Sequence, residues 1–133
     1  MVPSDRTRPA SKGDSRLFMA KAEEFLCEAA DALTAERWDA AGLAAIHAGI
    51  SAGDAVLAYH GGIRSAGQDH RSAPELVERT LGPSSHDSVK HLKRLVAKKN
   101  TVEYEQRRLS HAEAVDLESH ARRFVKWAIS RLP

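Results

Sequence analysis

The sequence is poor in cysteine and in aromatic residues. Its single cysteine, Cys27, has no partner in the chain, so an intrachain disulfide is excluded and a disulfide-stabilised secreted domain is not expected. Because Cys27 falls within an apolar periodic segment, we expect a buried, unreactive thiol. Aromatic residues make up 5% of the chain, a share typical of alanine-rich helical bundles.

Targeting segments are also missing. The first 14 residues contain no apolar run that could act as a signal peptide, and no segment approaches the roughly 20 apolar residues of a membrane span. We therefore expect a cytoplasmic protein with no membrane partner.

The excess of positive charge is small. A formal net charge of +2 in 133 residues is too little to argue by itself for a nucleic-acid partner. The length fits one domain with one core. Residues 1–12 are basic, contain proline and lack periodicity, so they predict a flexible basic tail, and residues 13–133 predict a single helical domain.

The dominant feature that the sequence does contain is the apolar segment from Asp39 to Gly62. Its apolar residues form two adjoining stripes at helical spacing, which predicts a helix that is enclosed by its neighbours. Three glycines within it, Gly42, Gly49 and Gly53, each cost a helix about 1 kcal/mol relative to alanine. Glycine at such positions indicates that neighbouring helices approach closely.

The remaining periodic segments also have helical spacing, and none shows the alternation typical of a strand. The predicted helices begin near Asp14, at Asp39, at the S-A-P-E box 72–75, near Ser84 and at the S-H-A-E box 110–113. Residues 61–71 predict a loop of about ten residues, since they show neither period. The sequence therefore predicts an all-α protein, an up-and-down helical bundle of four long helices plus one short helix.

Three polar residues interrupt the central helix on one side: His47, Ser51 and Asp54. Their spacing of i, i+4 and i+7 places them on one face, where His47 and Asp54 could form a buried acid–base pair. The alternative is a satisfied polar contact between helices or across a dimer seam. We refer to these three residues as the polar seam.

Basic residues concentrate between positions 90 and 108. With two polar neighbours they form the candidate nucleic-acid-binding set: Lys90, Lys93, Arg94, Lys98, Lys99, Asn100, Tyr104, Arg107 and Arg108. Basic residues along one helix face can contact successive phosphates, but a solvated basic face that complements the acidic first helix is equally compatible. Aromatic residues do not alternate with the lysines, so base stacking is not indicated.

Metal and cofactor motifs are not found. The histidines outside the polar seam and the 61–71 loop show no metal-binding spacing on one helix face: His60, His86, His91, His111 and His120. A glycine-rich phosphate loop is also missing. We therefore expect no metal and no cofactor.

The order of these segments resembles the HEPN superfamily (higher eukaryotes and prokaryotes nucleotide-binding domain). The likeness lies in three segments: AAIHAGISAGDAVLA, GQDHRSAPELV, and KNTVEY followed by SHAEAVDLESHARRFVKWAI. HEPN proteins are small and helical, and are often paired with nucleotidyltransferases or found in toxin–antitoxin and defence loci. The resemblance implies a homodimer, formed through the glycine-containing helix or the helices beside it. It also implies RNA or a nucleotide, and a nucleotidyltransferase or other toxin–antitoxin protein, as possible partners.

Members of this superfamily that cleave RNA carry an arginine and, four to six residues later, a histidine. At the corresponding place this chain has Lys99 and Asn100, with Val102 and Glu103 where a histidine would stand. A lysine does not replace the planar fork of arginine, so the resemblance implies an RNA- or nucleotide-associated protein without an intact RNase motif.

Two alternatives remain at this level. The arginine–histidine spacing does occur at Arg64 and His70, which would make the protein an active, metal-independent ribonuclease. The other alternative is an antitoxin-type module that binds a partner protein through the glycine-containing helix.

Overall fold

The computed structural model describes residues 7–66 and 71–133. Its elements are β1 (Thr7–Pro9), α1 (Asp14–Thr34), α2 (Trp38–Gly61), β2 (Ile63–Ser65), α3 (Ala73–Leu81), α4 (His86–Ala97), α5 (Lys99–Tyr104) and α6 (His111–Ser130), with a 3-10 turn at Pro83–Ser85. The prediction of an all-α protein is confirmed, apart from the small sheet that β1 and β2 form.

Helix α2 is enclosed along most of its length, as its apolar pattern predicts. Ile46, Val56 and Leu57 are fully buried, and α1 and α6 provide its most extensive packing. A Cβ atom added at Gly42 or Gly49 would lie 2.4 Å from a leucine methyl group of the same chain. The glycines therefore let the chain's own leucines approach. The leucines of the same chain therefore fill the space at Gly42 and Gly49.

Helix α2 is also the one described helix that is long and apolar enough to cross a membrane. This differs from the expectation that no segment approaches such a composition. However, 78% of its most apolar 18-residue window is buried inside the protein. Its apolar character is therefore accounted for by its place in the core.

The small sheet differs from the expectation that the chain has no strand. β1 falls within the predicted tail and β2 within the predicted loop, while residues 1–6 of the tail and 67–70 of the loop lie outside the described residues. β1 and β2 pair antiparallel, with Thr7 opposite Ser65 and Pro9 opposite Ile63. The N–H of Ala10 extends this pairing by donating to the Gly62 carbonyl at 3.0 Å. Strands of three residues are too short to show a two-residue period, and their partners are more than 50 positions apart in sequence.

The helix caps match the sequence only in part. At α6, Ser110 and Glu113 form the predicted capping box. The predicted box at Ser72 does not form, because no side chain caps the start of α3. Asp39 was expected to cap α2, but its carboxylate accepts hydrogen bonds from the Leu109 N–H at 2.8 Å and from Arg108 Nε at 3.2 Å. It thereby fixes the segment before α6 instead.

Helix α1 packs on the core mainly through small residues. Its buried positions include Ala22, Ala29 and Ala32, and small residues allow α1 to lie close to α2. Phe18, Leu26 and Leu33 are partly buried against the core, whereas Phe25 is 37% exposed. Cys27 is exposed rather than buried, which corrects the interpretation of this thiol.

Two glycines of α2 should respond to alanine in opposite directions, one substitution raising the free energy of unfolding and the other lowering it. At Gly53 an added Cβ would lie 3.4 Å from its nearest neighbour, an ordinary contact, whereas at Gly42 it would lie 2.4 Å from Leu109 Cδ1 and 3.2 Å from Leu117 Cδ1. We expect Gly53→Ala to raise the free energy of unfolding by up to about 1 kcal/mol and Gly42→Ala to lower it. Urea unfolding measures both, and equal stabilisation by the two variants would contradict the close packing at Gly42.

Candidate anion-binding groove between α3, α4 and α5

Most basic residues of the 90–108 stretch lie against carboxylates of the same chain. The ion pairs are Lys90–Asp87 at 3.5 Å, Arg94–Asp116 at 3.7 Å, Lys98–Glu113 at 3.2 Å, Lys99–Glu103 at 3.2 Å, Arg107–Glu113 at 2.9 Å and Arg108–Asp39 at 3.2 Å. Several of the carboxylates come from α2 and α6, far away in sequence. The positive potential of this surface is therefore lower than the sequence suggests.

The strongest of these pairings is centred on Glu113. Hydrogen bonds from Arg107, from the Ser110 backbone and from Lys98 hold the pKa of Glu113 well below its usual range. Arg107 donates to both carboxylate oxygens, at 3.0 and 2.9 Å. Arg107 and Lys98 are thus engaged in holding the start of α6, so they contribute less charge to an external ligand.

One groove nevertheless gathers several cationic groups around an apolar floor. It is a cavity of about 460 Å³ between the start of α3, the second half of α4 and the start of α5. Its lining consists of Arg71, Pro74, Glu75, Lys93, Val96, Ala97, Lys99 and Asn100. Three of these belong to the predicted nucleic-acid-binding set, and we call this cavity the α3–α5 groove.

The polar groups of the groove differ in their surroundings. Lys93 is exposed, and within the described residues it has no ion-pair partner. Asn100 and Arg71 are also exposed. Glu75 is the one acidic residue among the described residues of the lining, and it lies 3.1 Å from Arg79 Nη2. The groove can therefore present positive charge and an amide to an anion.

Lys99 is buried, with a side chain 8% exposed. Its ammonium group lies 3.2 Å from Glu103, which is also 3.9 Å from His47. Burial opposes ionisation of Glu103, but hydrogen bonds from Lys99 and Tyr104 and the charge of Lys99 give this carboxyl a lowered pKa. The pair fixes the lysine at the inner wall of the groove, because a buried ammonium group needs a counter-charge.

Sequence reasoning missed Arg71. It lies just before α3, outside the basic stretch, and only its position before the S-A-P-E segment could have pointed to it. Tyr104, which was predicted to join the nucleic-acid-binding set, is 72% exposed at the end of α5. It does not line the groove.

The predicted pair Arg64 and His70 is placed only in part. Arg64 lies exposed on β2, where its Nη1 donates to the Ser65 carbonyl at 3.3 Å. His70 lies outside the described residues. The ribonuclease alternative therefore stays a prediction.

The residues of the polar seam make contacts with different parts of the protein. Buried Asp54 accepts hydrogen bonds from the backbone N–H of Ser65 at 2.7 Å and from its hydroxyl at 2.8 Å, so its contact is with β2. His47 instead packs on Phe25, with ring centroids 5.5 Å apart, and together with Ser51 lines a cleft beside α1. The proposed His47–Asp54 acid–base pair is therefore wrong, because each side chain has another neighbour.

The lowered pKa values of two histidines predict that the protein is less stable in mild acid. Burial lowers the pKa of His47, with Glu103 opposing and Lys99 adding to the effect, and burial together with His120 and Arg123 lowers the pKa of His91. Below the ordinary value of 6.5, the unfolded chain binds protons that the folded chain does not, so the free energy of unfolding falls as pH falls.

We expect urea unfolding at pH 7.5 and 5.5 to show this decrease, and the decrease should become smaller in His47→Gln and in His91→Asn. Comparison of pH 8.5 with pH 7.5 provides the control, since both lie above the ordinary value of 6.5 and the two variants should show the wild-type pH dependence there. An identical decrease in wild type and in both test variants would contradict the assignment.

Within residues 7–66 and 71–133, no group of three or more His, Cys, Asp or Glu side chains is arranged to hold a metal ion. The basic and amide groups of the α3–α5 groove can bind an anion electrostatically. No protein-family model matches the chain, and no curated protein matches it either.

Proposed function

We propose that this chain is a HEPN-like helical-bundle protein that binds RNA or a nucleotide through phosphate groups at the α3–α5 groove. The observation that carries the proposal is the convergence of Arg71, Lys93, Lys99 and Asn100 on one cavity of about 460 Å³. The order of the helices along the chain supports the HEPN-like character, as does the enclosure of α2.

The groove suits phosphate better than a base. Lys93, which is exposed, can supply a point charge to a phosphate, and Arg71 carries the planar donor group that suits phosphate oxygens. Among the described residues that line the groove none is aromatic, so these residues offer a base no stacking platform. Binding at this site should therefore depend strongly on salt and weakly on sequence.

The proposal extends to the assembly and the biological setting. The long helices would form an up-and-down bundle, two copies of which pair through helices beside α2 in the cytoplasm. The protein would serve a toxin–antitoxin or stress and defence system, with a nucleotidyltransferase or another toxin–antitoxin protein as partner. Light scattering on the purified chain tests the homodimer. A strictly monomeric protein would contradict that part of the proposal.

The groove is tested by removing two of its charges. We expect Arg71→Ala combined with Lys93→Ala to weaken binding of a short single-stranded RNA at low salt by about tenfold or more. The slope of log K against log salt should decrease by about 1.4, at about 0.7 for each lost phosphate contact. Fluorescence anisotropy over a salt series measures both quantities.

The matched control removes two exposed basic residues far from the groove, Lys21 on α1 and Lys126 on α6. It changes the net charge equally and should keep the wild-type affinity within about twofold. Equal losses in both double variants would reduce the binding to a general charge effect and overturn the assignment of the groove.

The proposal also expects RNA to remain intact after incubation with the protein. Cleavage that is abolished by His70→Ala and by Arg64→Ala would instead establish the ribonuclease alternative. In that event the α3–α5 groove would at most hold the substrate, because Arg64 does not line it.

A further inference from the structure

Two histidines that are 29 positions apart meet between α4 and α6. His91 Nδ1 and His120 Nδ1 are separated by 2.8 Å, and their rings are tilted by 44° with centroids 5.1 Å apart. Both residues are half-buried, so an ion from solution can reach them. This pair has no signature in the sequence, because metal-binding spacing is recognised along one helix and these residues lie on two.

A carboxylate orients the second of these rings. Asp116 Oδ1 lies 3.3 Å from His120 Nε2, one helical turn away on α6. At this distance the carboxylate favours the tautomer with its proton on Nε2, which leaves the lone pair of His120 Nδ1 directed toward His91. The arrangement of a carboxylate behind a histidine is the usual outer shell of a metal-bound imidazole.

We propose that His91 and His120 form a two-histidine chelate for a divalent late transition-metal ion, copper(II) or nickel(II), with water in the remaining positions. Two nitrogen ligands 2.8 Å apart fit a metal about 2.0–2.1 Å from each, at an angle of about 85–90°. This is the angle between neighbouring ligands of a tetragonal ion, and it is smaller than a tetrahedral zinc ion requires.

Metal binding rearranges the resting pair. In the metal-free protein one Nδ1 donates its hydrogen to the other, and the tautomer argument makes His91 the donor. On binding, the proton of His91 moves from Nδ1 to Nε2 by exchange with water, and each ring turns by about 45°, because the lone pairs of a hydrogen-bonded pair point along the N–N line and the bonds to a metal leave that line at about this angle. The protein releases no net proton in this step.

The neighbouring charges set limits on affinity. Arg94 Nη2 lies 3.7 Å from Asp116 Oδ2, and the positive charge of Arg123 acts on His91. Both arginines oppose a cation and therefore limit the affinity of the histidine pair for a metal ion. Nitrogen ligands in such surroundings favour copper and nickel over hard ions such as magnesium and calcium.

The experiment is titration of the full chain with copper(II) and nickel(II), followed by calorimetry, with electron paramagnetic resonance for the copper form. We expect one ion per chain and a spectrum that shows two coupled nitrogens. His91→Asn and His120→Asn should each weaken this binding by about tenfold or more, since the Asn oxygen near the Nδ1 position can keep a hydrogen bond but binds such ions poorly. Asp116→Asn should weaken it about 10- to 100-fold, as expected for an outer-shell partner.

His111→Asn is the matched control, because it removes an exposed imidazole from the same helix as His120 and should leave the binding unchanged. Circular dichroism establishes that each variant is folded before it is compared. No metal binding by the wild-type chain would overturn the proposal and leave the two histidines as a hydrogen-bonded pair. Binding that persists unchanged in His91→Asn and His120→Asn would overturn it as well, by placing the ion elsewhere.

Discussion

Replacing Asp54 with alanine is expected to lower the free energy of unfolding by about 2–4 kcal/mol, because it removes the acceptor of two buried hydrogen bonds. Both come from Ser65, which is fully buried, at 2.7 Å from the backbone N–H and 2.8 Å from the hydroxyl. These bonds attach β2 to the side of α2. Chemical unfolding at neutral pH measures the loss, and hydrogen exchange should show faster exchange at the Ser65 amide.

Asp54→Asn and Ser65→Ala are the controls for this prediction. Burial raises the pKa of Asp54, and hydrogen bonds from Ser65 and the charge of Arg64 oppose the shift. With a raised pKa in the folded state, this carboxyl contributes stability at low pH that is lost as pH rises through that pKa. A neutral amide avoids this loss and keeps an oxygen for Ser65.

We therefore expect Asp54→Asn to retain most of the wild-type stability at neutral pH. Ser65→Ala should lose about 1 kcal/mol, since it removes only the hydroxyl bond. If Asp54→Ala were as stable as the wild type, the contact between Asp54 and β2 would contribute nothing to the free energy of unfolding.

Replacing Phe124 with alanine is expected to cost about 3–5 kcal/mol, the range for removal of a fully buried aromatic ring. Phe124 is 0% exposed. Its ring lies against Trp127, with centroids 5.5 Å apart, and near Gly53 of α2. The change leaves a cavity between α6 and α2 at the centre of the core, and thermal and urea unfolding both report it.

The control for Phe124 is Leu17, a large apolar residue on α1 that is 65% exposed. Leu17→Ala should change the free energy of unfolding by no more than about 0.5 kcal/mol. Phe124→Leu should fall between the two, because it restores part of the lost volume. Similar losses for Leu17→Ala and Phe124→Ala would contradict the position of Phe124 in the core.

The sequence predicted the parts of the fold that local patterns determine. The apolar stripes of α2 and the reciprocal box of Ser110 and Glu113 depend on residues a few positions apart, and the structure confirms both. The pairing of β1 with β2 depends on segments more than 50 positions apart. Asp39 is a good capping residue by its local sequence. In the structure its carboxylate instead accepts a hydrogen bond from the N–H of Leu109, which is distant in sequence.

The candidate site was predictable to a similar extent. Lys93 and Lys99 were identified from their charge and Asn100 as their polar neighbour in the chain, and the three line one cavity. Arg71 was missed because α3 brings it across from another segment. The charge of the basic stretch was overestimated, since Asp116 and Glu113 of α6 pair with Arg94 and Lys98 only once the helices pack.

The exposed thiol of Cys27 makes the wild-type chain directly suitable for site-specific labelling. As the only cysteine in the sequence, and exposed on α1, it can take one maleimide dye or nitroxide without any substitution. Each subunit of a homodimer would then carry one probe at a known position. The distance between the two probes, measured by energy transfer or by pulsed spin resonance, would show how close the α1 helices of the two copies lie.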